Sequence, residues 1–212
     1  MSLKCTISKL SPEDYKQCED FTVIYGTVNT KFGKCLMGMH EDQICFLSFI
    51  DDSGSMNSNG LCTSELLKLF PKASLYENNG KILGKAQEIF DQNAQGEVKV
   101  LLKGSAFQIR IWEQLVKLKR GSTTTYEDIA KAIGHPKAVR CVASAIAKNN
   151  ISYLVPCHRV ISKNGTLNKY KWGTERKLNM LRAEKMVSIQ APEIRNIKHH
   201  GIVLDQDSKV EI

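Results

Sequence analysis

The segment 155–160, with the sequence V-P-C-H-R-V, combines a thiol with two basic neighbours. Positive surroundings favour the thiolate of Cys157, which is the nucleophilic form of a cysteine. In an extended strand neighbouring side chains point to opposite faces, so His158 could take the Cys157 proton only after a turn at Pro156 or through a water. Such an imidazole is usually oriented by a carboxylate, and Glu184 is the candidate because acids are scarce nearby. A Cys-His pair can also be purely structural, so the motif alone leaves both interpretations open.

The other thiols show no pattern of their own. An odd number of cysteines at irregular spacing argues against a disulfide framework, and the missing C-x-x-C pair argues against a zinc ribbon or finger. We expect most of them to be small buried hydrophobic groups, and we expect no cofactor. The seven cysteines are Cys5, Cys18, Cys35, Cys45, Cys62, Cys141 and Cys157.

The charge of the chain is unevenly distributed. The formal net charge is +8, and residues 101–187 carry 17 Lys and Arg against five Asp and Glu, which leaves −4 on the rest. A basic part of this kind favours a polyanion such as nucleic acid as the partner, and a solvated basic surface is the alternative. No apolar run of 18 residues and no apolar leader occur, so we expect neither a membrane span nor secretion.

The sequence pattern divides the chain into four parts. Residues 1–20 are polar and predict a loose N-terminal arm, and 188–212 lack periodicity and predict a flexible tail. Residues 21–102 predict an α/β domain, and residues 103–187 predict a mainly helical domain. The elements of the α/β domain are strands at 21–28, 34–40, 43–50 and 98–102 and helices at 63–70 and about 80–93.

The helical domain contains a helix-turn-helix pattern. A helix from Ser105 to Gly121 is followed by a short helix at 125–133, capped by Thr124 or Thr125. After the Gly-containing turn at 134–136, the next helix is predicted to begin with Pro136 and to cover 137–148.

The second helix of this pair is rich in small residues, which allow a backbone to approach a partner closely. The alternative is that they pack against a neighbouring helix. Lys137 and Arg140 lie three residues apart and so share one face, which favours DNA as the partner. The small residues are Ala138, Ala143, Ser144, Ala145 and Ala147.

The segment around Cys157 resembles the P-C-H-R signature of the O6-alkylguanine-DNA alkyltransferases. The similarity covers roughly 21–187 and is strongest over 105–186. Further family motifs occur in the same order, and together they are highly specific. F-Q-I-R-I-W at 107–112 resembles the family's F-Q-x-x-V-W, and T-Y-E-D-I-A at 125–130 resembles its S-Y-x-x-[IL]-A. The others are G-x-P-x-A-x-R at 134–140, an asparagine at 149, Y-x-x-G-x-x-x-K at 170–177 and an acid at Glu184.

This resemblance implies an N-terminal α/β domain with a ribonuclease H-like sheet and a mainly α, winged-helix-like C-terminal domain with a helix-turn-helix. It implies DNA repair by a single transfer of a methyl or alkyl group from O6 of guanine to Cys157, with O4 of thymine as a further candidate. The lesion must leave the duplex to be reached. The implied partner is double-stranded DNA carrying O6-alkylguanine, and we expect a monomer, in the nucleus or in prokaryotic cytoplasm.

The resemblance also assigns roles in catalysis. Cys157 is the nucleophile, His158 accepts its proton through a water, and Glu184 orients and stabilises the imidazolium. Asn149 matches the hinge residue that orders this network.

Further roles concern the substrate. Tyr126 matches the tyrosine that rotates the nucleotide out, and Arg140 matches the arginine that replaces it in the stack. Tyr170 matches a hydroxyl that donates to guanine N3. The backbones of Val160 and Cys157 match groups that read the exocyclic amine, and that of Lys171 faces O6. We expect DNA contacts from Thr125, Lys137, Ala138 and Arg140.

Two features depart from the family pattern or belong to only some members. Asn168-Lys169 replace a glycine that usually precedes the tyrosine, so we expect a narrower tolerance for bulky adducts, and a faster reaction with O6-benzylguanine than with O6-methylguanine would contradict this. Some members bind a structural zinc, for which His40 and Cys45 with Cys18 or Cys35 are candidates. The absence of tight ligand spacing favours buried thiols instead.

Three other functions compete with repair. A lesion reader would lack the reactive cysteine, and a helix-turn-helix transcription factor would not need the segment 155–160, Tyr170 or Glu184. A Cys-His hydrolase would turn over many times.

Overall fold

The computed structural model describes residues 3–50, 58–91, 94–167 and 170–184, with side chains left undescribed at 58–62. The predicted tail at 188–212 lies outside these residues. The chain forms two compact units, one of residues up to 109 together with 150–152 and one of the remainder. The sequence placed the division between 102 and 103, whereas the units divide inside a helix.

The first unit is built on one six-stranded sheet with the strand order β1-β6-β4-β3-β2-β5. Strands β2, β3 and β4 form an antiparallel meander, β5 is parallel to β2, and β6 is parallel to both β1 and β4. The strands are β1 Leu3–Leu10, β2 Thr22–Thr30, β3 Gly33–His40, β4 Gln43–Phe49, β5 Ser74–Glu77 and β6 Gly96–Lys103, and the helices are α1 Pro12–Gln17, α2 Ser58–Leu69 and α3 Asn79–Phe90.

The loose N-terminal arm predicted for residues 1–20 is wrong. β1 pairs along its whole length with β6, and its Leu3 and Cys5 are buried. The Ser11 side chain accepts a hydrogen bond from the Asp14 N–H and so caps α1, which buries Tyr15. The alternation of apolar and polar residues in β1 is short, and its strand partner lies more than ninety residues away in the chain, which is why the local pattern missed it.

An aromatic and aliphatic core lies against this sheet. Tyr15 and Phe70 flank Phe21, whose ring is 4.9 Å from that of Phe70 and nearly parallel to it. Cys45 belongs to the same cluster and is 1% exposed. The thiol therefore packs as a small apolar group, as the sequence predicts for most of the cysteines.

The second unit is mainly helical, with one short parallel strand pair. The Trp112 indole N–H donates to the Ala145 carbonyl at 3.0 Å, which ties the first of its helices to the third. The first helix ends at Val116 and not at Gly121 as predicted, because 117–121 form turns. The elements are α4 Ala106–Val116, which begins in the first unit, β7 Thr124–Thr125, α5 Tyr126–Ala132, α6 Val139–Ala147, a 3₁₀ helix Cys157–Arg159, β8 Val160–Ile161 and α7 Thr174–Ala183.

The helix-turn-helix pair consists of α5 and α6. Thr125 caps α5, and Gly134, with a φ of 77°, ends it. The predicted start of the next helix at Pro136 is wrong, since α6 begins at Val139. The Ala138 N–H donates to the His135 carbonyl at 2.9 Å, so Pro136 occupies the second position of a turn, where its fixed φ is also favoured. Within the described residues, no helix is both long and apolar enough to cross a bilayer.

Candidate active site

Cys157 begins the single-turn 3₁₀ helix between Pro156 and β8. The Arg159 N–H donates to the Pro156 carbonyl at 3.0 Å, so the chain turns directly after the proline. β8 pairs with β7, which anchors the segment on its C-terminal side. With three residues per turn, the side chains of Cys157, His158 and Arg159 point in three directions, and the opposed arrangement of a plain strand is avoided.

The Cys157 sulfur contacts two polar groups. The Asn149 Nδ2 lies 3.1 Å from Sγ and also donates to the Val155 carbonyl at 2.9 Å, while the Tyr170 hydroxyl is 4.0 Å from Sγ. Burial raises the pKa of the Cys157 thiol, and its hydrogen bonds with Asn149 and Tyr170 oppose this rise. The thiol of the free protein is therefore protonated at neutral pH, and it needs a base to become a nucleophile.

His158 supplies a neutral imidazole. Its Nε2 lies 2.9 Å from Oε1 of Glu184, and both side chains are buried. Burial lowers the pKa of His158, and the hydrogen bond and charge of Glu184 oppose that effect. An Nε2–H that donates to the carboxylate leaves Nδ1 as the acceptor in the neutral ring. Nδ1 is buried and has no hydrogen-bond partner among the described residues.

Arg159 forms a bidentate ion pair with Glu184, which was not predicted from the sequence. Nε donates to Oε2 at 3.0 Å and Nη2 to Oε1 at 2.9 Å, and Nη1 donates to the Leu118 carbonyl at 2.5 Å. Burial raises the pKa of Glu184, but the hydrogen bonds and charges of His158 and Arg159 bring it down to about 2. The sequence suggested only that Arg159 makes the surroundings of Cys157 positive. The scarcity of acids in this basic part of the chain singled out Glu184, but nothing in the sequence indicated Arg159 as its partner.

Lys177 is a second buried cation that the sequence identified only through a motif match. It is 1% exposed, and its Nζ donates to the Val160 carbonyl at 2.6 Å. Burial lowers the pKa of Lys177 to about 8, while the nearby Cys157 acts to raise it. The ammonium lies 5.9 Å from the centre of the Tyr170 ring. Its charge would favour a thiolate at Cys157.

A cavity of about 400 Å³ opens beside the Cys157 sulfur. Its volume falls in the range of sites for small molecules, so it can accept a single nucleobase. The wall is mixed, with aliphatic side chains from α6, two tyrosines, a tryptophan and several cations. The residues that line it are Tyr126, Glu127, Val139, Arg140, Ala143, Ile146, Ala147, Cys157, Ser162, Lys163, Tyr170, Lys171, Trp172 and Lys177.

The structure brings many of the predicted site residues together. Tyr126, Arg140, Tyr170 and Lys171 line the cavity with Cys157. Asn149 contacts the Cys157 sulfur, and His158, the next residue in the chain, pairs with Glu184. Val160 is not among the lining residues.

The residues predicted to contact DNA differ in exposure. Lys137 and Arg140 are exposed and Ala138 is half-buried. Thr125 is 7% exposed, and its hydroxyl accepts from the Asp128 N–H and donates to the Asp128 carboxylate at 2.6 Å. The hydroxyl of Thr125 is thus used to cap α5, which argues against the predicted DNA contact by this side chain.

The candidate zinc ligands do not fit a metal site. Among the described residues, no three His, Cys, Asp or Glu side chains converge as metal ligands would. His40 contacts the Thr22 carbonyl through Nδ1 at 2.9 Å and stacks on Phe21. Burial raises the pKa of Cys45 to about 12, which disfavours the thiolate that zinc requires. Asn168 and Lys169, whose effect on adduct size stays a prediction, lie outside the described residues.

Comparison with known proteins places this site in a family. The family model described as the DNA binding domain of 6-O-methylguanine DNA methyltransferase matches residues 106–186. The inducible methylated-DNA–protein-cysteine methyltransferase of Bacillus subtilis is 41% identical over 126 residues, which cover 57% of this chain and 70% of that protein. The chain belongs to the O6-methylguanine DNA methyltransferase family, which confirms the resemblance found in the sequence.

Other relatives extend over more of the chain. The bifunctional transcriptional activator/DNA repair enzyme Ada of Escherichia coli is 35% identical over 170 residues, 78% of this chain and 46% of that protein. The chain thus spans about half the length of the first curated relatives it matches. The OGT of Mycobacterium tuberculosis, solved in complex with DNA, superposes with a TM-score of 0.60 at 27% identity, covering 77% of this chain and 93% of that one. A mixed α/β sheet domain followed by a helical DNA-binding domain is therefore confirmed as the fold class.

Proposed function

We propose that the chain repairs DNA by transferring a methyl or other alkyl group from O6 of guanine to the sulfur of Cys157. The observation that carries this proposal is the position of Cys157, which lines the 400 Å³ cavity and directly precedes His158, whose imidazole forms a buried pair with Glu184. Family membership supports the same chemistry, since the relatives include methylated-DNA–protein-cysteine methyltransferases.

The first step is removal of the thiol proton. Burial lowers the pKa of His158 and raises that of Cys157, so the resting pair is a neutral imidazole and a thiol. The proton passes to Nδ1 of His158 through a bridging water, and the ionised Glu184 stabilises the imidazolium through Nε2. The Asn149 amide and the Lys177 charge then stabilise the thiolate.

The second step moves the alkyl group. The thiolate attacks the carbon attached to O6, a C–S bond forms, and the C–O bond breaks with its electron pair going to the guanine oxygen. The leaving guanine takes up a proton, so the thiol proton is balanced and no oxidant or reductant is needed. Tyr170, whose hydroxyl lies 4.0 Å from Sγ, is placed to donate to the departing base. The product is a thioether, which thiol exchange does not reverse, so each molecule reacts once.

Access to O6 requires that the damaged nucleotide leave the duplex and enter the cavity. The exposed face of α6 carries Arg140 together with small residues, Ser144 and Ala147, which permit close approach to DNA. Arg140 and Tyr126 both line the cavity. This position supports a role for Arg140 in replacing the extruded base in the stack and for Tyr126 in rotating the nucleotide out of the duplex. The relative solved in complex with DNA supports DNA as the partner. We propose that this DNA is double-stranded and that the protein works where a cell keeps such DNA, in the nucleus or in prokaryotic cytoplasm.

The decisive experiment is the mass of the intact protein after incubation with duplex DNA carrying one O6-methylguanine. We expect the mass to rise by one methyl group, on a peptide that contains Cys157, with one equivalent of DNA repaired per protein. Cys157→Ala should bind the DNA without any gain in mass. Cys141→Ala is the matched control, because it removes an exposed thiol from α6 and should react like the parent.

Each other outcome contradicts the proposal in its own way. Binding of the lesion by the parent protein without a mass change would identify a lesion reader. Repair of many equivalents of DNA would indicate a hydrolase, and methylation of Cys141 in place of Cys157 would move the nucleophile.

A further inference from the structure

Tyr153 adopts a backbone conformation that its side chain disfavours. Its φ is 69°, and among the described non-glycine residues only Glu41 shares a positive φ. Glu41 occupies the tight turn between β3 and β4, where such a value is common, whereas Tyr153 is bulky. It is the first residue after 150–152, which belong to the other compact unit. A conformation of this kind persists only when the surroundings of the residue hold it in place, and it is enriched at functional sites.

The Tyr153 ring contacts the proton-accepting network. It lies parallel to the His158 imidazole, with an angle of 10° between the planes and 6.3 Å between the ring centres. Its phenol is close enough to Arg120, Arg159 and Glu184 to interact with their charges. The residue is half-buried and is not among those lining the cavity, so it contacts the network at a place the substrate does not occupy.

We infer that Tyr153 is a positioning residue whose ring holds the His158 imidazole in plane and shields the Glu184–Arg159 ion pair from water. The inference rests on the proposed function, because it concerns the base of that reaction. The strained backbone is what aims the ring at His158. A residue with an ordinary negative φ would send its side chain in another direction.

The shielding has a consequence for proton transfer. The charged groups that face His158 are Glu184, Arg159 and Lys177, and burial is the main cause of its lowered pKa. If water reaches the His158 imidazole, burial no longer lowers its pKa as strongly. Glu184 still favours the imidazolium, so the pKa of His158 rises. A larger fraction of His158 is then protonated at neutral pH and cannot accept the Cys157 proton. A loosely held imidazole also loses its alignment with the thiol.

Three variants test this inference. Tyr153→Asn removes the ring but keeps a residue that tolerates a positive φ, and Tyr153→Phe keeps the ring without the hydroxyl. Glu41→Asn is the matched control, because it places the same side chain at the other positive-φ position among the described non-glycine residues, in the turn between β3 and β4. For each protein we would measure the single-turnover rate of transfer from O6-methylguanine DNA across pH, the DNA affinity, the Tm and the NMR titration of His158.

We expect transfer by Tyr153→Asn to be about tenfold slower at neutral pH, a fraction of what a general base contributes, with the acid limb of its profile moved to higher pH. DNA affinity should be unchanged. Tyr153→Phe should restore most of the rate and the original profile, and Glu41→Asn should match the parent. An unshifted profile and rate in a folded Tyr153→Asn would overturn the inference. If its Tm falls sharply, Tyr153→Leu provides the same comparison.

The His158 titration separates the two proposals. If the parent protein transfers no methyl group, the proposed function fails, but the midpoint for His158 can still be compared between variants. A higher midpoint in Tyr153→Asn and an unchanged one in Tyr153→Phe would support the positioning role by itself. Equal midpoints in all of the proteins would contradict it.

Discussion

Cys45 in the first unit and Cys157 in the second are both buried, and burial raises the pKa of both thiols. Around Cys45 the neighbours are apolar and aromatic, and the pKa reaches about 12. Next to Cys157, the Asn149 amide lies 3.1 Å from the sulfur, the following residue has a buried imidazole paired with a carboxylate, and Cys157 itself lines a cavity. The difference teaches that burial alone makes a thiol inert. A buried nucleophile needs hydrogen-bond donors for its anion, a base for its proton and access for its substrate.

The two units also differ in where they keep their charges. In the first unit, the ion pairs Lys99–Asp42 and Lys85–Glu88 involve exposed or partly exposed side chains. In the second, His158, Arg159, Lys177 and Glu184 are all buried, although its Lys131–Asp128 pair is exposed. Exposed pairs contribute little to stability, whereas a buried pair is costly to break. The active unit therefore depends on complete pairing of its charges, and this dependence offers the strongest test of the comparison.

The largest effect should follow Glu184→Gln. The variant leaves Arg159 buried without its partner, so the free energy of unfolding should fall by about 3–5 kcal/mol. The imidazolium of His158 also loses its stabilising charge, and transfer should slow by about a hundredfold or more. Chemical denaturation and single-turnover repair of O6-methylguanine DNA measure the two effects.

A double variant separates structure from catalysis. Glu184→Gln with Arg159→Met removes both members of the ion pair, so we expect much of the lost stability to return. Transfer should stay slow, because His158 still lacks its carboxylate. Recovery of both properties together would mean that Glu184 acts only through Arg159 and that its hydrogen bond to His158 contributes nothing to transfer.

Alkaline pH should change stability in opposite directions through the buried thiols of the first unit and through Lys177 of the second. The folded-state pKa values of Cys5 and Cys45 are about 12, above the ordinary value of 9.0, so the unfolded chain loses these protons first. Stability should therefore fall as pH rises above 9, by about 2 kcal/mol per thiol at pH 10.5. For Lys177 the folded pKa is about 8, below 10.5, so the unfolded chain holds this proton longer. Stability should rise between these values by about 3 kcal/mol.

Single substitutions show which residue causes the fall and which causes the rise of stability with pH. Cys45→Ala should flatten the fall in stability above pH 9, and Lys177→Met should remove the rise that begins near pH 8. Denaturant unfolding at several pH values measures both. A Lys177→Met protein that keeps the full pH dependence of the parent would show that the buried ammonium does not lose its proton in this range.

A smaller effect should follow Asn149→Ala, which removes the amide next to the sulfur. A hydrogen bond to a charged group contributes about 1.5–3 kcal/mol, so transfer and the reaction of Cys157 with iodoacetamide should slow by about ten- to a hundredfold at neutral pH. Asn150→Ala is the matched control, since the backbone of Asn150 and not its side chain bonds to Leu47. Equal rates for the two variants would show that the amide does not stabilise the thiolate.

The sequence predicted the parts of the molecule that depend on local pattern. The meander from β2 to β4 and the helices α3 and α5 follow from alternation and periodicity, and capping chemistry left Thr124 or Thr125 as the cap, of which the structure uses Thr125. β5 was missed because it has only four residues, and β1 was missed because it gains its stability from β6, a partner that is distant in the chain.

The sequence predicted the type of site and several of its residues, but not every pairing among its buried side chains. Cys157, His158 and Asn149 stood in motifs, and Glu184 stood out as an acid in a basic region. The pairing of Arg159 with Glu184 could not be foreseen, because a neighbouring cation was expected to face the sulfur. The 3₁₀ turn directs its side chain elsewhere, and this direction depends on the pairing of β7 with β8. Tyr153 gave no signal, since its backbone conformation is invisible in residue type.

The smallest effect should come from Cys45→Ala, the counterpart in the first unit of the Cys157→Ala substitution. It removes one buried sulfur from an apolar cluster, so the free energy of unfolding should fall by about 1 kcal/mol, as for other small deletions in a core. The rate of methyl transfer should stay within about twofold of the parent, because no polar contact of the site changes. Denaturant unfolding and intact mass after reaction with methylated DNA give the two measurements. A large loss of transfer in a folded Cys45→Ala protein would break the comparison, since the thiol of the first unit would then share in the chemistry that Cys157 performs.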